Sequence, residues 1–153
     1  MLTHSKEWKG VRRMPQVDIN YLAVLVATVA AMVIGAIWYA PKVLGNLWMK
    51  ELGMGATPED REKMRKGAAK AYAGMFIAAL VTSYVLAHFV DYTNATTALN
   101  GAVTALWLWL GFVATVIFGQ VLFEKRSLTL FAIGAGYQLV NLVVMGIILA
   151  VWR

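Results

Sequence analysis

Cysteine is absent from this 153-residue chain, and histidine occurs only twice. Without cysteine the protein forms no disulfide bond, has no thiolate nucleophile and cannot ligate an iron–sulfur cluster through thiolates. The two histidines do not supply paired haem ligands inside the apolar runs, because His4 lies in a polar leader. The sequence contains no catalytic motif, so we expect no enzyme activity, no bound metal and no cofactor.

Charge is also scarce over long parts of the chain, where apolar residues take its place. Hydrophobic residues make up 60% of the sequence and the mean hydropathy is +0.64, whereas a soluble domain is about 45–50% apolar. A helix needs about 20 apolar residues to cross the roughly 30 Å hydrocarbon core of a bilayer. Four runs meet this requirement, at about residues 19–40, 71–90, 98–123 and 128–152. The sequence therefore predicts an all-α fold, an integral membrane four-helix bundle.

The polar N-terminal segment lies outside these runs. Residues 1–17 form a leader that we expect to be loose, and residues 18–153 form the four-span membrane domain. Met14, inside the leader, is an alternative start of the chain.

A short amphipathic segment follows the first run. Pro41 ends or bends the first helix. Beyond it, the apolar residues that fall on one side of a helix are Leu44, Leu47, Trp48 and Leu52. This pattern is typical of a short helix that lies in the membrane interface.

The second run has a strong helix start well before its apolar part. Thr57 can cap a helix, Pro58 suits the first helical position, and Glu59 and Asp60 suit the positive end of the helix dipole. No strong helix breaker follows before residue 90. We therefore expect one continuous helix over about 58–90, whose first three turns form a cytoplasmic extension of the second span.

Lysine and arginine are unequally distributed between the two sides of the predicted membrane domain. With four spans, both termini lie on one side, which carries five of these residues: Lys6, Lys9, Arg12, Arg13 and Arg153. The other side carries nine: Lys42, Lys50, Arg61, Lys63, Arg65, Lys66, Lys70, Lys125 and Arg126. Because basic loops remain in the cytoplasm, we expect loops 41–70 and 124–127 to be cytoplasmic and both termini to lie outside. The net charge of +6 then indicates contact with anionic lipid headgroups and does not indicate nucleic acid as a partner.

The first span carries small residues at strict four-residue spacing: Ala23, Ala27, Ala31 and Gly35. Such a stripe lets two helix backbones approach closely, and we interpret it as a helix-packing face. The alternative is chance spacing in an alanine-rich helix.

The fourth span carries an uncharged polar face. Tyr137, Gln138 and Asn141 share one side of the predicted helix, and Thr115 of the third span is a natural partner for them. A carboxamide that faced lipid would leave its donors and acceptors unpaired, so this face turns inward or toward another subunit. Two interpretations remain open: an interhelical hydrogen bond, or the polar lining of a solute path.

His88 and Asp91 stand three residues apart where the second span ends. An aspartate can orient and charge a histidine, and a proton relay or metal site could begin in this way. Two ligands do not complete a metal site, and the alternative is a solvated interfacial histidine.

Three stretches together resemble a known bacterial membrane family, the "domain of unknown function 1761". They are INYLAVLVATVAAMVIGAIWYAPKVLGNLWMKELG in the first third, LGFVATVIFGQVLFEKRS in the third span and GYQLVNLVVMGIILAVWR at the end. The resemblance covers residues 18–153 and implies a small four-span protein of the bacterial cytoplasmic (inner) membrane. It implies no reaction, substrate or cofactor.

These observations favour a homo-oligomer that forms a scaffold or a passive pathway for a small solute. The alternative is an accessory subunit that stabilises a larger membrane complex through the same surfaces. An enzyme acting on a lipid or quinone is least favoured, because no acid–base pair lies within a span.

The predicted orientation can be tested with the cysteine-free chain. Single cysteines at Thr96 and Ser127 should react oppositely with a membrane-impermeant thiol reagent in intact cells. We expect labelling of Thr96→Cys and protection of Ser127→Cys, because the basic loops should be cytoplasmic. Labelling of Ser127→Cys alone would reverse the orientation.

Overall fold

Helices account for the regular secondary structure of the computed structural model, which describes residues 17–55 and 57–153. The helices are α1 (Tyr21–Trp38), α2 (Asn46–Glu51), α3 (Pro58–Tyr92), α4 (Ala98–Leu108), α5 (Thr115–Phe123) and α6 (Leu128–Val151). Two π-helical turns, Pro41–Gly45 and Trp109–Ala114, precede α2 and join α4 to α5. The all-α prediction is confirmed. Residues 1–16 of the predicted leader, with Met14, lie outside the described residues.

Four helical stretches are long and apolar enough to cross a membrane. They are Tyr21–Trp38, Pro58–Tyr92, Ala98–Phe123 and Leu128–Val151, and they coincide with the four predicted spans. The short amphipathic segment after Pro41 is also helical, as a π turn followed by α2.

The helix starts follow from side chains that cap free backbone N–H groups. The Asn20 side chain accepts hydrogen bonds from the first turn of α1, and Ser127 does the same at α6. Thr57 and Asp60 form a reciprocal capping box at α3, with bonds of 3.2 and 3.3 Å. From this start α3 runs without interruption for 35 residues, as predicted, which is roughly 50 Å at 1.5 Å per residue.

The backbones of α4 and α6 approach each other at two glycines. A Cβ atom on Gly101 would stand 2.3 Å from the carbonyl oxygen of Gly146, and a Cβ on Gly146 would stand 2.6 Å from that of Gly101. One turn further along each helix, Ala105 and Ala150 continue the contact. Each helix thus presents a Gly-xxx-Ala pair to the other. This crossing was not predicted from the sequence.

Helix α6 is the element against which α1, α3 and α4 pack. The core where they meet is built from small and medium side chains: Ala23, Val24, Ala27 and Ala31 of α1, Leu86 and Val90 of α3, and Met145 and Leu149 of α6. Helices α3 and α4 leave a groove between them, lined by apolar residues that include Val85 and Phe112. One outer flank of the bundle is therefore open.

Polar contacts join elements at both ends of the bundle. At the end where α1 begins, Arg153 forms a 2.7 Å ion pair with Asp91, so the end of α6 is linked to the end of α3. At the opposite end, the Ser127 hydroxyl donates to the Glu51 carboxylate and accepts the N–H of Leu130. Helix α2 is thereby attached to the start of α6. Neither contact was predicted from the sequence.

The α4–α6 glycine crossing predicts that a Gly→Ala substitution changes stability in opposite directions at two positions of α6, Gly146 and Gly134. Gly146→Ala should lower the free energy of unfolding by about 1–3 kcal/mol, because its methyl group overlaps the α4 backbone. Gly134→Ala has open space around its Cβ and should raise stability by up to about 1 kcal/mol through helix propensity. Unfolding in a denaturing detergent, followed by circular dichroism, measures both. Equal effects at the two positions would contradict the close crossing.

Candidate functional site

The polar face of α6 meets α1 near the end of the bundle that carries α2. Tyr137 is 7% exposed and Asn141 is 5% exposed, whereas Gln138 between them is half-buried. The Tyr137 hydroxyl lies against Gly35 of α1, where an added Cβ would stand 3.2 Å from that oxygen. Gly35 therefore provides the space that the phenol ring occupies.

Aromatic rings surround Tyr137. Tyr39, directly after α1, packs edge-to-face on Tyr137 at a centroid distance of 5.3 Å and on Trp48 of α2 at 5.4 Å. Trp38 lies 6.5 Å from Tyr137. Such pairs orient rings beyond the effect of area burial alone. They connect α1, α2 and α6 around one phenol.

Two indole groups donate hydrogen bonds into the backbone of α6. Trp38 Nε1 donates to the carbonyl of Ile133 at 3.2 Å, and Trp109 Nε1 donates to that of Ala135 at 2.8 Å. Trp109 begins the π turn between α4 and α5. Each indole thus ties a neighbouring helix to α6 just before Tyr137. Trp107, in contrast, is exposed.

Asn141 lies one turn beyond Tyr137 on α6, and its Oδ1 atom has no hydrogen-bond partner among the described residues. The expected interhelical hydrogen bond is therefore not made by this oxygen. A buried acceptor without a partner is uncommon and costs about 1–3 kcal/mol.

Thr115 does not form part of this buried face. Its side chain is exposed, and its hydroxyl donates to the carbonyl of Gly111 in its own helix at 2.8 Å. The hydroxyl is thus satisfied within one helix, as is common for threonine. The structure brings together Tyr137 and Asn141 of the four proposed polar-face residues, with Gln138 beside them.

The small residues of α1 lie inside the bundle. Ala23, Ala27 and Ala31 are completely buried, and Gly35 is half-buried against Tyr137. Alongside them, the Val24 carbonyl accepts hydrogen bonds from the hydroxyls of Thr28, at 2.8 Å, and of Ser83 in α3, at 3.0 Å. This face of α1 packs against α3 and α6 of the same chain, so it is not free to contact another copy.

His88 and Asp91 have different partners. The His88 ring nitrogen Nδ1 lies 2.9 Å from the carbonyl oxygen of Tyr84, and its ring packs edge-to-face on the Tyr84 ring at 4.7 Å. Asp91 pairs with Arg153. Within the described residues, no group of three or more His, Cys, Asp or Glu side chains could hold a metal ion.

A cavity of about 150 Å³ lies between α1, α3 and α6, beside Tyr137. Its wall contains three tyrosines and two methionines: Tyr39, Tyr72, Tyr137, Met32 and Met75. Sequence patterns could not reveal it, because Tyr72 and Tyr137 are distant in the chain and come together only through the packing of α1, α3 and α6.

One protein-family model matches the chain over residues 22–150, and it is described as a protein of unknown function, DUF1761. No curated protein and no solved structure matches.

Because the Asn141 oxygen has no partner, we expect its removal to stabilise the fold. Asn141→Leu keeps a side chain of similar size and should raise the free energy of unfolding by about 1 kcal/mol, because it removes a buried acceptor without a partner. The control is Thr28→Val, which removes a buried hydroxyl that is hydrogen-bonded and should not stabilise. Unfolding in a denaturing detergent compares them, and a loss of stability in Asn141→Leu would contradict the prediction.

Proposed function

The chain belongs to the DUF1761 family, and we propose that it is a multi-pass protein of the bacterial cytoplasmic membrane that acts as a homo-oligomeric scaffold. Copies join through the outward face of α3. The observation that carries this proposal is the pattern of exposed residues on that face.

The outer surface of the bundle supports a location in the bilayer. Large apolar side chains are exposed around it, such as Phe112, which is 72% exposed, together with Ile77 and Val116. A soluble monomer rarely exposes so much contiguous apolar surface. A lipid environment removes the cost of this exposure.

The distribution of charge supports the proposed orientation. Lys42 and Lys50 belong to the π turn and to α2, which contacts the start of α6 through Glu51 and Ser127. The loop residues Lys125 and Arg126 directly precede Ser127. At the other end Arg153 is engaged by Asp91. Under the rule that basic loops remain inside, the end of the bundle that carries α2 faces the cytoplasm.

Helix α3 has one face in the bundle and one face outside it. The bundle face contains its buried residues Ala79, Ser83, Leu86, Ala87 and Val90. On the opposite side, exposed small and β-branched residues recur at alternating spacings of four and three: Gly67, Ala71, Gly74, Ala78, Val81 and Val85. We call this second set the α3 seam. Its spacing is the heptad spacing of paired helices.

The composition of the α3 seam suits a closely packed partner helix. An added Cβ on Gly67 or Gly74 would meet nothing within 4 Å, so both backbones are uncovered. Small residues at such positions let helices approach closely in a membrane, where packing drives association. Two copies inserted in the same orientation would present identical seams to each other about a two-fold axis.

The packed interior favours a scaffold over a solute path through one copy. Thr28 and Met145 have no exposed surface, and Ala27 beside Thr28 is also fully buried. The small-residue face of α1, which could otherwise have joined two copies, is buried within one copy. The α3 seam is exposed and is therefore the surface that we propose for contact between copies.

Single cysteines in this cysteine-free chain test the proposal. Ala71→Cys, Gly74→Cys and Ala78→Cys place a thiol on the α3 seam, and mild oxidation in native membranes should cross-link them into dimers. Ala73→Cys is the matched control, because Ala73 is exposed on the same helix but off the seam. Disulfides form only where the Cβ atoms come within about 4.5 Å, so the yield should follow the heptad spacing.

Two other outcomes would argue against homo-oligomers. Equal cross-linking of Ala73→Cys and the seam variants would indicate random collision. Cross-linking of the seam variants to a different membrane protein would favour the accessory-subunit alternative, in which the same seam holds another chain.

A further inference from the structure

The cavity beside Tyr137 has the size of a small organic molecule. Its volume of about 150 Å³ equals that of a cavity in which a benzene molecule can be bound in an engineered protein, also about 150 Å³. One aromatic ring with a short substituent fits such a volume. A drug-sized ligand does not, because its pockets run to about 300–1,000 Å³.

Three tyrosines line this cavity, and Tyr137 is the one whose side chain is buried. Tyr137 lines the cavity and is more than nine-tenths buried, and its hydroxyl forms no hydrogen bond with another described residue. A ligand that carried a hydroxyl or carbonyl group could satisfy it.

The rest of the wall selects against charge. Its side chains are apolar, aromatic or thioether groups, and none is ionised at neutral pH. An ion would have to enter this space without a counter-charge, which is costly. The sulfurs of Met32 and Met75 and the ring of Tyr39 favour an aromatic ligand instead.

The cavity can be reached from the side of the bundle. Tyr72 is 63% exposed and Met75 is 47% exposed, and both lie at the gap between α3 and α1. Ala36, on the α1 side of this gap, is also exposed. A small molecule can therefore enter between the two helices without unpacking the core.

We propose that this cavity is a binding site for a neutral one-ring aromatic molecule bearing a hydroxyl or carbonyl group, which pairs with the Tyr137 hydroxyl. The ligand is a phenol or a compound of the same class. The site lies on the opposite side of α3 from its seam, so its existence does not depend on the oligomer.

Fluorine NMR of two probes tests the proposal with the full chain in detergent. 4-Fluorophenol should bind about three- to tenfold more tightly than 4-fluorotoluene, the range expected for one hydrogen bond of about 0.5–1.5 kcal/mol. Tyr137→Phe removes the hydroxyl and should abolish this preference while leaving the binding of 4-fluorotoluene unchanged. A Tyr137→Phe protein that keeps the full preference would overturn the proposal.

A second variant distinguishes binding in the cavity from partitioning of the probes into the detergent micelle. Ala36→Leu extends an exposed side chain into the cavity mouth and should weaken both probes at least tenfold, because the space is filled. Ala132→Leu is the matched control, since Ala132 is exposed on α6 and does not line this cavity. Equal binding to the two leucine variants would mean that the probes only partition into detergent, and the site would not exist.

A third probe identifies the source of the ring. 4-Octylphenol carries an alkyl tail that can remain outside the gap, as a membrane-held phenol would. If octylphenol displaces 4-fluorophenol from the parent protein but not from Ala36→Leu, the result supports a lipid-anchored ligand. Displacement by unsubstituted phenol alone supports a free one, and displacement by neither overturns the proposal.

Discussion

The contact between the Gly101 and Gly146 backbones is the constraint on which the rest of the bundle depends. It brings α4 so close to α6 that neither position has room for a side chain. With α4 fixed there, Trp109 reaches the Ala135 carbonyl from one side, and Trp38 of α1 reaches the Ile133 carbonyl from the other. Helix α6 is thereby held between two neighbours at the turn that carries Tyr137. The cavity, the aromatic cluster and the unpartnered Asn141 oxygen all lie within about two turns of these bonds.

Composition and local chemistry were enough to predict the helical framework. Uncharged runs gave the four spans, and the Thr57-Pro58-Glu59-Asp60 signal gave the start and continuity of α3. Both depend on residues that are neighbours in the chain. Loop charge predicts an orientation in the same way, and that orientation remains a prediction.

The contacts between helices could not be read from one sequence. Small residues are frequent throughout this chain. The four on α1 predicted a packing face because of their regular spacing, whereas Gly101 with Ala105 and Gly146 with Ala150, which form the α4–α6 crossing, show no such repeat. Asn141 was predicted to be buried, and it is. Its hydrogen-bond partner could not be predicted, because a pattern shows which face of a helix turns inward but not which atoms of other helices it meets. Asp91 was placed beside His88 by sequence proximity, yet its partner is Arg153, 62 residues away. The cavity depends on how α1, α3 and α6 pack together, which no residue pattern encodes.

The arrangement of contacts along the chain has a consequence for biogenesis. The partners in the α4–α6 hairpin are close in sequence, as with the 26 residues between Trp109 and Ala135, so this unit forms by closing a short loop. Helix α1 is synthesised first, yet Ile133, whose carbonyl accepts the hydrogen bond from Trp38, follows 95 residues later. Until α6 has been synthesised, the alanines of α1 can contact α3 but lack their partners on α6. The α1 side of the core is therefore completed only after the last helix of the chain has been synthesised.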